Sequence, residues 1–337
     1  MLLLLIIINL TLLAFFAPHA IANQDATISY CLFTLLTFVL AVIYWRSHFK
    51  QVQQLPGTRS ATSLMLAKLR RNKAAMAGLV VVTVLIYCAI LAPFIVPIDP
   101  LAMDWSALTS GPSSVHWLGT DELGRDTLSR TIYGTRIALG IGLLAVLLNT
   151  LMGTSLGLLA GYYGGKTDNM IMRSLEFWNA IPFILMAIAL MAALGSGLFN
   201  LVLVVSLTGI LEFARIIRGD SMLLRGADYV NAARVMGIPD GQIIRRHILP
   251  NCLAPTIVMA TLRVGETILT IAGLSFLGLG VQPPTPSLGG MLASGQQYLH
   301  QNISMSLVPG CIILLIVLAF NLFGDGLRDA LDSKITY

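Results

Sequence analysis

Eight stretches of this sequence are apolar for roughly the length a helix needs to cross a bilayer, about 20 residues, and no other feature restricts the fold as much. They cover 1–22, 28–45, 75–96, 136–160, 179–195, 198–214, 253–280 and 303–324. Inside hydrocarbon every backbone N–H and C=O must be satisfied within the segment, so lone strands are ruled out and each stretch is expected to be helical. Composition agrees: 56% of the 337 residues are hydrophobic and 11% are charged, against about 25% charged in an ordinary soluble domain. Too few polar side chains remain to cover a soluble surface. The fold class is all-α, a polytopic helical membrane protein.

Placement of charge sets the expected orientation, because Lys and Arg collect in short cytoplasmic loops. Between 46 and 73 lie Arg46, Lys50, Arg59, Lys68, Arg70, Arg71 and Lys73 with no acid among them. The stretch 97–130 instead carries Asp99, Asp104, Asp121, Glu122 and Asp126 beside Arg125 and Arg130, and 281–302 has no charged residue. Arg215, Arg218, Arg225, Arg234, Arg245 and Arg246 cluster in 215–251. These counts place 46–73 and 215–251 in the cytoplasm and 97–130 and 281–302 outside, with six core spans and both core ends inside. The first 22 residues end in Ala20-Ile21-Ala22, a cleavage-like pattern without the basic start of a signal peptide. Cleavage, a retained hydrophobic hairpin and an overlong start to the reading frame all leave the core topology unchanged.

Several patterns carry no chemistry. Gly165-Lys166-Thr167 lacks the leading glycine of a phosphate loop, since position 160 is Ala160 and a membrane segment precedes it; a tight turn between helices is expected. Cys31, Cys88, Cys252 and Cys311 are scattered through apolar segments and read as packed free thiols. His116, His247 and His300 stand isolated, and no spacing suggests a metal site. Asn302-Ile303-Ser304 matches a glycosylation sequon and is read as incidental. The chain is therefore not expected to be an enzyme, nor to hold a metal, a cofactor or nucleic acid.

Charges inside apolar segments are costly and often functional. Arg263 and Glu266 stand three apart on one helix, where they can neutralise each other or line a pathway. Glu176 and Glu212 fall near predicted helix ends, within reach of water.

The segment "YVNAARVMGIPDGQIIRRHILPN", 229–251, interrupts the apolar pattern. Asp228 is placed to cap a short helix through Asn231, Ala232 and Ala233 to about Met236. Gly237 follows where a left-handed terminator belongs, and Ile238-Pro239 forbids continuation. Asp240 is placed to cap a second helix ending near Pro250, with Ile243, Ile244, His247 and Ile248 on one arc and Arg245 and Arg246 elsewhere. Two helices joined at a glycine elbow, with small residues on the first, suit either the lipid surface or a protein partner.

The pattern N-A-A-x3-G-x9-H-I-L-P in this segment resembles the EAA loop of ABC importer permeases. Three further stretches are similar to the dipeptide/oligopeptide/nickel permease family, in particular its C-type subunit: "HWLGTDELGRDTLSRTIYGTR" at 116–136, "LSFLGLGVQPPTPSLGGML" at 274–292 and "AFNLFGDGLRDALD" at 319–332. The resemblance covers about 66–337. It implies a MetI-like six-helix permease in the bacterial inner membrane, with a homologous B-type permease subunit, two ABC ATPase subunits and an extracytoplasmic substrate-binding protein as partners, beside membrane lipid. It also implies that 227–250 docks on the ATPases, with Asp228, Asn231, Ala232, Ala233, Gly237, Arg245, Arg246 and Pro250 as the coupling residues. The expected organisation is a hydrophobic extension and basic linker at 1–65, a first core helix and outer loop at 66–134, the permease domain at 135–325 and a cytoplasmic tail at 326–337. The chain departs from the family pattern at Asn231, where a glutamate names the motif, at Ile271, where an acid is usual, and at Leu288-Gly289, where a Trp-Gly pair is usual.

The function implied is that of a pore-forming subunit for ATP-driven import of di- and oligopeptides, with nickel chelates or antimicrobial peptides as alternative cargo. An ion-coupled secondary transporter is the alternative of another class; it calls for internal repeats around midplane charges, which the chain does not show. A membrane scaffold would explain neither the elbow nor the GTDELGRD stretch.

Overall fold

The computed structural model describes residues 61–195 and 197–331. The apolar stretches 1–22 and 28–45, the bases Arg46, Lys50 and Arg59, Cys31 and the end of the tail from 332 lie outside the described residues. Among the described residues, 61–68 and Pro93–Ile95 belong to one compact unit, and Leu69–Ala92 with 96–331 to the other. The clusters and sites discussed below lie in the second.

Eleven helices run through the described residues: α1 Ala61–Arg71, α2 Lys73–Ile95, α3 Thr127–Tyr163, α4 Gly165–Asn179, α5 Phe183–Leu194, α6 Leu198–Thr208, α7 Ile210–Arg225, α8 Asp228–Val235, α9 Asp240–Phe276, α10 Leu288–Gln296 and α11 Ser304–Leu331. Among the described residues α2, α3, α9, α11 and the run Leu198–Arg225 are long and apolar enough to cross a membrane, and α4 with α5 makes a sixth span only as a pair bent by 85°. The expected continuous span at 179–195 is thus corrected. Pro182 cannot donate a backbone hydrogen bond and stands outside α5, which is 12 residues long.

Packing follows from residue size. Gly153, Gly157 and Gly161 form a stripe on α3, where a Cβ would come within 2.5 Å of Phe213 Cβ, Ala214 O and Arg218 O of α7. Small residues four apart let two helix backbones approach this closely. Three apolar clusters complete the core. One joins α2, α3, α9 and α11, with Leu139, Ile268 and Ile316 at its centre, and a second seats Leu201 and Val204 of α6 beside α3 and α9. The third gathers Leu158 and Tyr162 of α3, Ile217 of α7, Val230 and Ala233 of α8, and Ile243, Ile248 and Cys252 of α9. It ties the elbow to the membrane helices.

The expected turn at Gly164-Gly165 is present, with both residues at positive φ between α3 and α4. Asp168 of α4 then receives Arg218 of α7 in a two-point ion pair, at 2.5 Å from Nε and 2.6 Å from Nη2.

Candidate functional site

The elbow is built from its turn outward. Gly237 has φ +77°. Its N–H donates to Arg234 O at 2.9 Å, and the N–H of Ile238 donates to Ala233 O at 3.1 Å. This pair of bonds is a Schellman stop, which satisfies the last carbonyls of α8 and needs a left-handed residue at its pivot. Pro239 begins the next segment, as expected.

Both expected caps are displaced by one residue. Ala227 occupies the N-cap of α8 and Pro239 that of α9, and neither makes a side-chain capping bond. Asp228 and Asp240 lie inside their first turns, where a negative charge complements the helix dipole without a capping bond. The Asp240 carboxylate instead accepts from the Tyr162 hydroxyl at 2.5 Å, and the Arg234 guanidinium lies 5.1 Å from the centre of the same ring. Asn231 reaches back, donating from Nδ2 to Gly226 O at 3.3 Å. Tyr162 thereby clamps both helices of the elbow to the end of α3.

Pro250 does not end the second helix. Residues 240–276 run on as α9, and Ile244–Ile248 form a π turn in which the N–H of Leu249 reaches Ile244 O. A proline ring clashes with the carbonyl four residues back and offers no donor. The wider turn lets the backbone pass Pro250 unbroken, and Asn251 Nδ2 donates to the carbonyl of His247 at 2.6 Å. The expected arc is present: Ile243 and Ile248 are buried, Ile244 and His247 half-buried, and Arg245 and Arg246 exposed.

The first helix presents a different face from the one expected. Ala233 is 1% exposed, packed with Val230 in the cluster below the elbow, so it is not a surface residue. Residues three apart share a helix face, and burial of Val230 takes Ala233 with it. Outward point Tyr229, Ala232, Val235 and Met236, the last two 89% and 71% exposed, with Asp228, Asn231 and Arg234 among them. The helical period, anchored on Val230, is the signal that could have found this strip.

The pair expected at Arg263 and Glu266 is a triad. Arg263 Nη1 lies 2.6 Å from Glu266 Oε2 and 2.9 Å from Glu212 Oε2. Glu212 therefore does more than reach water: it brings α7 to α9 across 51 residues of sequence. Neutralising Arg263 and Glu266 together would leave Glu212 without its guanidinium. Glu176 pairs with Arg173 at 3.2 Å on exposed α4.

The loop at 97–126 holds ionic structure that sequence reading missed. His116 is not isolated: its Nδ1 is 3.1 Å from Asp126 Oδ1, and Asp126 Oδ2 caps α3 by accepting from the N–H and hydroxyl of Ser129 at 2.8 and 2.6 Å. Arg125 Nε and Arg130 Nε share Asp121 Oδ2 at 2.7 and 3.2 Å, while Arg125 Nη2 takes Glu122 Oε1 at 3.0 Å. Ser106 donates its N–H and hydroxyl to Asp104 and so holds that carboxyl below the usual aspartate range. Asn302 of the sequon is buried and structural. Its Nδ2 donates to Ser110 O at 2.8 Å, and Ser304 Oγ donates to Leu118 O at 2.7 Å. Among the described residues no three His, Cys, Asp or Glu side chains converge as metal ligands.

Residues 153–337 match the family described as binding-protein-dependent transport system inner membrane component, and residues 60–112 match the N-terminal transmembrane domain of oligopeptide transport permease C. The chain is 47% identical over 268 residues to a glutathione transport system permease protein of Pectobacterium atrosepticum, covering 79% of this chain and 89% of that one. It is 42% identical over 295 residues to a dipeptide transport system permease protein of Alkalihalophilus pseudofirmus, covering 88% and 91%. A solved inward-facing structure of the MetNI methionine ABC transporter matches at 19% identity with a TM-score of 0.49, covering 60% of this chain and 97% of that one.

Proposed function

The chain belongs to the permease C family of binding-protein-dependent ABC transport systems, and from that premise we propose that it conducts short peptides inward as one half of a heterodimeric pore driven through the elbow. It is a multi-pass inner-membrane permease subunit of an ABC importer, it is not itself an enzyme, and family membership implies ATPase and binding-protein partners. The finer assignments are a homologous B-type permease, two ATPase subunits, cytoplasmic placement of 215–251 and of both core ends, and a permease domain at 135–325. The relatives named for dipeptide and glutathione transport support a small peptidic cargo.

One observation carries the coupling role. Tyr229, Ala232, Val235 and Met236 make an exposed apolar strip on a helix whose opposite face is pinned by Val230 and Ala233 and whose end is set by the Gly237 stop. A rigid strip of this kind, with arginines beside it, suits a groove on a partner protein. Val235→Glu tests the reading without disturbing packing inside the chain. The expected result is a normally inserted permease pair from which the ATPase subunits co-purify about tenfold less well, a loss near 1.4 kcal/mol. Wild-type recovery of the ATPases and wild-type uptake would assign the strip to the lipid surface instead.

A further inference from the structure

The Gly237 stop that shapes the elbow also divides it. α8 ends at Val235, α9 begins at Asp240, and between them stands a left-handed glycine that nothing crowds. Force applied to the outward strip of α8 reaches the long helices as one movement only if something spans that pivot. The apolar cluster below spans it loosely: Val230 and Ala233 before the pivot, and Ile243 and Ile248 after it, share one cluster with Leu158, Tyr162 and Ile217. Apolar contact is non-directional, so it secures burial better than register.

Tyr162 spans the pivot with directional contacts. It is the penultimate residue of α3, 3% exposed, with its ring inside the cluster. After the pivot, its hydroxyl donates to Asp240 Oδ1 at 2.5 Å; before it, the Arg234 guanidinium lies 5.1 Å from the ring centre. A hydrogen bond to an ionised acceptor and a cation over an aromatic face both depend on position. One side chain of a third helix thus holds both halves of the elbow, and that helix is long. α3 runs 37 residues from Thr127, where Asp126 caps it and also lies 3.1 Å from His116 Nδ1. Partway along, α3 is fitted to α9: a Cβ on Gly142 would come within 2.6 Å of the Ile268 side chain. α9 receives the elbow's movement through the covalent chain, and α3 receives it through Tyr162. We propose that Tyr162 is a positioning residue for energy coupling: it makes α3 move with the elbow, so that displacement of α8 by an ATPase subunit reaches α3 and α9 together. This inference rests on the reading of the α8 strip as the ATPase contact.

The test uses the complete transporter, with its ATPase subunits and binding protein, in proteoliposomes. ATP hydrolysis is measured beside uptake of labelled dialanine or glutathione, whichever the unaltered complex imports. Tyr162→Phe keeps the ring, its packing and the Arg234 contact, and removes the hydroxyl alone. ATPase co-purification should stay near that of the unaltered complex, while peptide taken up per ATP hydrolysed falls at least about threefold, the scale of one net hydrogen bond. A purely structural role would lower recovery, uptake and hydrolysis in step and leave that ratio untouched. Asp240→Ala removes the acceptor and should lower the ratio by a similar factor. The double variant should be no worse than either single one, because each removes the same bond. An unchanged ratio in Tyr162→Phe, or losses that multiply in the double variant, would overturn the role of Tyr162. If that happens while Val235→Glu still strips the ATPase subunits, the strip reading stands and this inference alone falls. If Val235→Glu keeps its ATPase subunits and full uptake, the strip reading falls and takes this inference with it.

Discussion

The elbow at 228–248 and the loop at 97–126 use their charges in opposite ways. In the loop, buried Asp121 pairs with Arg125 and with Arg130 in the first turn of α3, and buried Asp126 pairs with His116, so ions hold the backbone in shape. In the elbow, apolar packing under Val230, Ala233, Ile243 and Ile248 does that work, and Asp228, Arg245 and Arg246 lie on the surface. A region shaped by its own ions has few left for a partner. One shaped by packing and a glycine stop keeps its ions for one. The loop is thus a poor candidate for ionic docking and the elbow a good one, although the loop is richer in acids.

The largest expected effect concerns which side each region faces. In a chain whose native cysteines are replaced, Ser114→Cys in the loop should react fully with a membrane-impermeant thiol reagent in intact cells, and Val235→Cys on the elbow should not react until the cells are opened. Both positions are exposed, whereas Ser287 is buried and caps α10, which makes it a poor probe. Labelling of the 235 site from outside would invert the assignment.

Next comes Asp121→Asn, aimed at the loop's reliance on ions. Removing one partner of a buried ionic cluster costs roughly 3–5 kcal/mol, here with two guanidiniums losing their shared carboxylate. Thermal unfolding of the purified complex should begin earlier, and proteolysis should cut first between 97 and 126. A variant as resistant as wild type would mean that the loop does not depend on its ions.

The smallest effect is the elbow's. Gly237→Val forces a β-branched residue into a left-handed conformation, at roughly 1–2 kcal/mol, and nothing crowds the position sterically. Insertion and pairing should survive while ATPase co-purification falls. Ala233→Arg should be harsher, because Ala233 is buried and the change would break the cluster below the elbow. Equal behaviour of the two variants would count against the packing account of the elbow.

Much of the fold could be read in advance because hydropathy over 20 residues is a strong signal, and five of the six core segments appear as spans where apolar runs stand, the sixth only as the bent α4–α5 pair. Gly237 was legible for a related reason: a glycine ahead of Ile-Pro has few other uses at a helix end. The misreadings share a cause. Pro250 was expected to stop a helix because local rules assume α geometry, and a π turn evades them. Ala233 was assigned outward because its small size was weighed before its phase relative to Val230. Glu212 with Arg263, and Asn302 with Ser110, are partners 51 and 192 residues apart. No local pattern marks such pairs, since they are created by which helices come to lie side by side.

The unbroken run from Asp240 to Phe276 gives the elbow a mechanical arm. At 1.5 Å per residue its 37 residues make a rod of about 55 Å. One end is fastened to Tyr162 through Asp240; Arg263 and Glu266 ride two-thirds of the way along; Ser275 stands near the far end. Tilting such a rod by about 5° about its elbow end sweeps the other end through nearly 5 Å, estimated from that helical rise. That is the width of a side chain. A small rocking motion at one face of the membrane is thus geared up into an opening-sized displacement at the other, with no hinge needed in between.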